Sequence, residues 1–153
     1  MKSVTLVTDG ACIGNPGPGG WACLLRYDQR SRELSGSAAH TTNNRMELTA
    51  VLEGLSALNE PCEVTIVTDS EYVHKGITEW MEKWRRTGWQ TADRKPVKNQ
   101  DLWKALNEAL APHHVSWRWV KGHASHADNI RADQLANDAA RNQTAAAAED
   151  EKD

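Results

Sequence analysis

The sequence has little cysteine, no phenylalanine, no long apolar run and almost no excess of either charge. Its three cysteines, Cys12, Cys23 and Cys62, are odd in number and fit no zinc spacing. They read as reduced thiols in a cytoplasmic protein, not as a disulfide framework or a zinc module. Every apolar stretch is too short to span a bilayer, and no charged-then-apolar leader opens the chain. The signature GK[ST] is missing, so the glycine-rich GNPGPGG stretch is no phosphate-cradling loop. A formal net charge of −3 removes the global basicity that advertises nucleic-acid binding.

What is present suits one globular domain. The 153 residues are 39% hydrophobic and 25% charged, enough to bury a sizeable core. The charge is unevenly placed. Between Trp80 and Lys98, six basic residues face two acidic ones, a local balance of +4 that the whole-chain average hides. The last stretch, NQTAAAAEDEKD, carries four acids and one lysine and lacks bulky apolar residues. It reads as an acidic, mobile tail (142–153) beyond a domain of residues 1–141.

Residues 3–9 alternate like a strand, with Val4 and Leu6 on one face and Thr5, Val7 and Asp9 on the other. GACIGNPGPGG reads as a turn or loop. WACLLRY (21–27) and residues 32–40 are strand candidates joined by a polar turn, which suggests an antiparallel meander. From Asn43 the period changes: Leu48, Val51, Leu52, Leu55 and Leu58 recur at helical spacing, with Asn43 or Asn44 as cap. EVTIVTD is a further strand, and SEYVHKGITEWMEKWRR reads as one or two short helices. Trp89 to Gln100 is a polar, basic loop. A helix from Asp101, a strand at VSWRWVKG and an alanine-rich helix from Ile130 complete the chain, while His113 and His114 read as solvent-facing. Three meandering strands followed by helix–strand–helix–strand–helix predict an α/β sheet of mixed direction with helices packed on it.

TLVTDG (5–10) and TIVTDS (65–70) echo one another, each running a strand into an aspartate. Taken singly, Asp9 and Asp69 read as strand-end turns. If the two strands are neighbours, their ends bring the carboxylates together. Glu47 lies on the inward stripe of the long helix, four residues before Val51, where it serves as helix-end carboxylate or as metal ligand. Asp133 sits near the packed face of the last helix. Four acids brought together repel and hold their protons, and a hard divalent cation relieves this. Oxygen-only ligands favour Mg²⁺ or Mn²⁺ over Zn²⁺.

TDGACIGNPGPGGWA, TTNNRMEL, TDSEYV, GWQTADRKPVKNQDLW, WVKGHASHADN and RADQLA, in that order and spacing, resemble bacterial type I ribonuclease H over residues 1–141. The resemblance implies a ribonuclease H-like fold, a five-stranded mixed sheet with three antiparallel strands then two parallel, flanked by helices. It implies an endonuclease that cuts the RNA strand of RNA–DNA hybrids, leaving 5′-phosphate and 3′-hydroxyl ends; a monomer is expected because the basic face must stay open. It places metal ligands at Asp9, Glu47, Asp69 and Asp133, holding two Mg²⁺ ions about 4 Å apart, with Mn²⁺ as substitute. His123 matches the family's mobile catalytic histidine. Without the family it is plain loop surface, or half of an HxxH pair with His126 that lacks further ligands. Asn129 is placed beside the active site; on its own it reads as a helix cap.

The resemblance also assigns the hybrid contacts. Reading 2′-hydroxyls in a wide minor groove falls to Cys12, Asn15, Asn43 and Asn44, with the backbone of Gly10 nearby. Thr42, Asn15 and Ser70 are placed near a DNA phosphate. Lys83, Arg85, Arg86, Lys95 and Lys98 form a basic protrusion, with Trp80 and Trp84 either packing it onto the body or stacking on sugars. Position 71 departs from the family pattern, with Glu71 where an amide is usual, and a carboxylate only accepts hydrogen bonds. Two other readings remain: a DNA nuclease of the same fold, and a hybrid-binding module without catalysis.

Overall fold

The computed structural model describes residues 1–121 and 127–152, with side chains described through residue 143. Three strands, β1 (Lys2–Cys12), β2 (Gly17–Tyr27) and β3 (Arg30–Thr41), form an antiparallel meander. Helix α1 (Asn43–Ser56) carries the chain to β4 (Cys62–Thr68), which pairs with β1 in parallel. A continuous helical run follows: α2 (Glu71–Lys75), a π-helical turn (Gly76–Trp80) and α3 (Met81–Thr87). Helix α4 (Gln100–Leu110), β5 (His114–Trp119), parallel to β4, and α5 (Ala127–Lys152) complete the fold. The sheet order is β3-β2-β1-β4-β5, the expected five-stranded mixed sheet.

Alternation along β1 divides two cores. Val4 and Leu6 pack with Leu48, Val51 and Leu55 of α1 and with Trp103 and Leu106 of α4. Val7 turns to the other face, against Leu24, Val67 and Ala132 of α5. The central strand is therefore apolar on both sides, as a strand covered by helices on both faces must be. No helix among the described residues is long and apolar enough to cross a membrane.

Four local readings change. GACIGNPGPGG is mostly strand, and only residues 13–16 turn. Gly20 is inside β2 because α5 crosses directly over it; a Cβ there would stand 2.2 Å from the Ala136 carbonyl oxygen. The α1 cap is Thr42, whose hydroxyl accepts from the Arg45 amide at 3.2 Å, and not Asn43 or Asn44. Asn129 is no cap either: it lies within the first turn of α5 and is buried. His113 is not merely solvated, since its Nδ1 accepts from the Cys62 amide at 3.0 Å. Where composition points to a mobile tail, the α5 backbone runs helically to Lys152; the run Ala145–Ala148 has the highest intrinsic helix propensity.

Candidate active site

The echoed segments are hydrogen-bonded neighbours. Thr5 pairs with Thr65, Leu6 with Ile66 and Val7 with Val67, an offset of sixty residues that, continued two positions, sets Asp9 beside Asp69 at one end of the sheet. Gly10 makes room for the third acid. A Cβ on it would stand 2.4 Å from the Glu47 amide nitrogen, so its absence lets the first turn of α1 seat against β1. Asp133 arrives on α5, next to Ala132, which is fully buried on the face that packs against the sheet.

Two of the four acids, Asp9 and Glu47, are perturbed by their surroundings. Asp9 is 8% exposed and its Oδ2 has no hydrogen-bond partner. Burial foremost, then the Asp69 charge and the hydrogen bond and charge of Asp133, push its carboxyl up to about 8. Glu47 is also raised above the ordinary carboxylate value, by burial first and by Asp69, while hydrogen bonds from Ser70 and Asn43 oppose the shift. Carboxylates converging without a counter-charge behave in this way. Among the described residues, no three His, Cys, Asp or Glu side chains are grouped closely enough to hold a metal ion as they stand. The donor chemistry nonetheless fits a hard cation, with oxygen donors only and one buried carboxylate oxygen, Asp9 Oδ2, left without a hydrogen-bond partner.

Glu47 is held from two sides. Asn43 Nδ2 donates to its Oε1 at 2.8 Å, and the Ser70 hydroxyl donates to its Oε2. Ser70 is itself buried and accepts from the Val73 amide at 3.1 Å, capping α2. The structure thus turns Ser70 toward Glu47 instead of outward to a phosphate. Asn15 Oδ1 accepts from the Asn43 amide at 3.0 Å, and Cys12 Sγ approaches the Gly17 and Thr41 carbonyls. Asn44 stays exposed. His123 lies outside the described residues, as does His126.

The basic segment forms a second feature next to the acids. Asn44, Glu71, Lys75, Trp80, Trp84 and Lys98 line a cleft of about 560 Å³. Both tryptophans line the cleft, and they pack differently. Trp84 packs edge-on against buried Trp103 with ring centroids 5.5 Å apart, anchoring the protrusion. Trp80 leans on Tyr72 and Trp84 and presents its remaining surface to the cleft. Lys83, Arg85, Arg86 and Lys95 are exposed beyond it.

Sequence reasoning misses three supports. Arg45 on α1 donates to Asn99 (3.2 Å) and to both Asp101 oxygens (3.0 and 2.7 Å). The Tyr72 hydroxyl accepts from Asn99 Nδ2 and Trp103 Nε1, each at 3.0 Å. These partners are far apart in the chain, so no local pattern marks them. Asn137, which donates to Asp133 Oδ1 at 3.0 Å, could have been found from its i+4 spacing.

Acids gathered at the end of a mixed sheet, beside a cleft of lysines and tryptophans, define the architecture of a nuclease. The chain belongs to the RNase H family, whose model matches residues 1–141. It is 62% identical over 144 residues to the ribonuclease H of Solibacter usitatus, covering 94% of this chain and 99% of that one. It is 60% identical over 139 residues to the ribonuclease H of Hydrogenovibrio crunogenus, covering 91% and 96%. Among solved structures it resembles LC9-RNase H1, described as a type 1 RNase H with the type 2 active-site motif, at 35% identity and a TM-score of 0.84, over 94% of this chain and 74% of that one. The RNase H1 of the archaeon Halobacterium salinarum is similar at 27% identity and a TM-score of 0.69, over 92% and 98%.

Proposed function

We propose that this chain is an endonuclease that hydrolyses the RNA strand of RNA–DNA hybrids, leaving 5′-phosphate and 3′-hydroxyl ends. The observation that carries this reading is the acid cluster around Asp9, with its orphaned oxygen and retained proton, set beside the Trp80–Lys98 cleft in a chain of the RNase H family.

Asp9, Glu47, Asp69 and Asp133 would hold two Mg²⁺ ions, with Mn²⁺ as substitute. Such ions, when bound, polarise the scissile phosphate and make a water nucleophilic at neutral pH. The chain's own residues do the rest. Asn43 and Ser70 fix the Glu47 carboxylate, and Asn137 fixes that of Asp133. Held ligands keep their geometry as the substrate arrives, the usual task of residues behind a metal centre. His123 is the proposed proton carrier at the departing product, an imidazole being able to give and take protons near neutrality. Asn129 would order water beside Asp9.

Hybrid recognition divides between the strands. Gly10, Cys12, Asn15, Asn43 and Asn44 face the minor groove, where 2′-hydroxyls separate RNA from DNA. The Thr42 hydroxyl, which accepts from the Arg45 amide, keeps its own proton for a DNA phosphate. Lys83, Arg85, Arg86, Lys95 and Lys98 draw in the DNA backbone, and Trp80 offers a ring face to it. The protein acts as a monomer in the cytoplasm, its basic face open.

The test uses four labelled substrates: RNA–DNA hybrid, duplex RNA, single-stranded RNA and duplex DNA, each with Mg²⁺ or chelator. Cutting confined to the hybrid's RNA strand, dependent on metal and lost in Asp69→Asn, is the expected result. Hybrid binding without cutting, or cutting of duplex DNA, would overturn it.

A further inference from the structure

Helix α5 packs across β1, β2 and β3. Where its first turn meets β4 and β5 lies a cavity of about 290 Å³. Its apolar lining includes Val7, Val67 and Val120, and its polar lining includes Arg118, Asp128 and Asn129. Asn129 is 4% exposed, yet among the described residues its side chain has no hydrogen-bond partner. Arg118, exposed on the edge strand β5, has neither a hydrogen-bond nor an ion-pair partner among them. Asp128 is not a free acid, since both its oxygens accept from Arg26. The cavity therefore offers one guanidinium, one buried amide and the first turn of a long helix, whose unbonded N–H groups carry partial positive charge.

A buried amide left unpaired costs about 1–3 kcal/mol, which a ligand rich in acceptors recovers. Phosphate suits all three donors. A guanidinium binds it through paired hydrogen bonds, a helix N-terminus is a ready anion site, and an asparagine NH₂ donates. A cation would meet only the Asn129 carbonyl and a carboxylate already paired. The volume lies near the lower limit for small-ligand pockets, about 300 Å³, so the occupant is a small group and not a duplex. We propose that this cavity, built by Arg118, Asn129 and the first turn of α5, is a phosphate-binding site. It adjoins the acid cluster. Asn129 and Asp133 are one helical turn apart on α5, and Val7 stands two residues before Asp9 on the same face of β1. Resting on the nuclease reading above, the 5′-phosphate end made by each cut has a short path into the cavity. Inorganic phosphate is the second source of the same chemistry.

The test follows amide resonances of the metal-free protein during titration with inorganic phosphate, against chloride at equal ionic strength. Saturating shifts are expected at Arg118 and at residues 127–129. Arg118→Gln should weaken the affinity about tenfold, the loss of one charge-assisted hydrogen bond, and Arg118→Lys should recover part of it. Thermal melts check that both variants fold. No shifts at the first turn of α5, or equal affinity in wild type and Arg118→Gln, overturns the proposal. The source is read from inhibition of hybrid cleavage by a short RNA carrying a 5′-phosphate or a 5′-hydroxyl. Stronger inhibition by the phosphorylated RNA, about tenfold in wild type and lost in Arg118→Gln, assigns the product end. Equal inhibition beside the phosphate shifts assigns free phosphate. A wild type that binds phosphate but cuts no hybrid would defeat the ribonuclease reading and leave the site standing.

Discussion

Val7 on β1 pairs with Val67 on β4 in parallel, and this one register sets Asp9 and Asp69 next to each other at the end of the sheet. A slip of one residue would turn one of the two carboxylates to the opposite face, because side chains alternate along a strand. The repeated Thr-aliphatic-Val-Thr-Asp pattern thus marks where the β1–β4 pairing finishes, β4 stopping at Thr68 while β1 runs on to Cys12 against β2.

That convergence makes the metal-free protein sensitive to pH. Asp9 keeps its proton to about pH 8 when folded, against an ordinary value of 3.8 when unfolded. Between these values the folded state binds more protons, so stability falls as pH rises across the window, in total by the order of a few kcal/mol. Thermal melts in chelator from pH 4 to pH 8 should show this slope. Asp9→Asn should flatten it and abolish hybrid cleavage, and saturating Mg²⁺ should also reduce it, since bound metal displaces the proton. A wild-type melting temperature that rises steadily across that window would contradict the assignment.

Ser70 links a helix cap to a proposed ligand. Ser70→Ala should cost about 1 kcal/mol of stability through the lost α2 cap. Freed from one partner, Glu47 should hold metal more weakly, raising the Mg²⁺ concentration for half-maximal cleavage by about tenfold or more. Titration of activity with Mg²⁺, beside a chemical denaturation curve, separates the two effects. An unchanged Mg²⁺ requirement would remove Ser70 from the site's support.

Gly10 is predicted to be intolerant of even one methyl group. Gly10→Ala would place a Cβ 2.4 Å from the backbone of Glu47 and force α1 away from β1. Overpacking of this kind costs about 1–3 kcal/mol. Cleavage should fall further than stability at the same temperature, because Glu47 moves with the helix. Activity at full strength in a folded Gly10→Ala protein would show that the α1 seat does not set the acid cluster.

The exposed cations of the protrusion should act through salt. Replacing Lys83, Arg85 and Arg86 with alanine should raise KM and leave kcat near its original value. The slope of log kcat/KM against log salt should become shallower by about one for each phosphate that is no longer neutralised. Trp80→Ala should likewise act on KM, whereas Trp84→Ala should lower the melting temperature, because Trp84 packs on Trp103. Equal effects of the two tryptophans on stability would erase the distinction between cleft and anchor.

Much of the fold is legible in the chain's periodicities. The switch from strand to helix spacing at Asn43, the Leu48–Val51–Leu55 stripe and the strand end before Asp69 match the structure, because each depends on residues near in sequence, whereas β1 runs on past Asp9 to Cys12 in its pairing with β2. Gly20 reads as part of a turn, since its reason for being glycine is Ala136, more than a hundred residues away. Asn43 reads as a helix cap because its side chain could serve either the backbone or Glu47. Only the seat of α1 against β1 decides for Glu47.

By itself the sequence determined the residue types: two strands that each carry a Thr-aliphatic-Val-Thr run into an aspartate, a helix that carries Glu47 inward, and a basic run studded with tryptophan. Periodicity and short-range chemistry write these features into neighbouring residues. The tertiary structure alone decided that Asp9 is buried with Asp69 and Asp133 near it and that it keeps a buried oxygen unpartnered. It alone turned Ser70 toward Glu47. Charge repulsion, desolvation and close packing depend on distances between elements, and those distances exist only once the sheet has formed and the helices have closed over it.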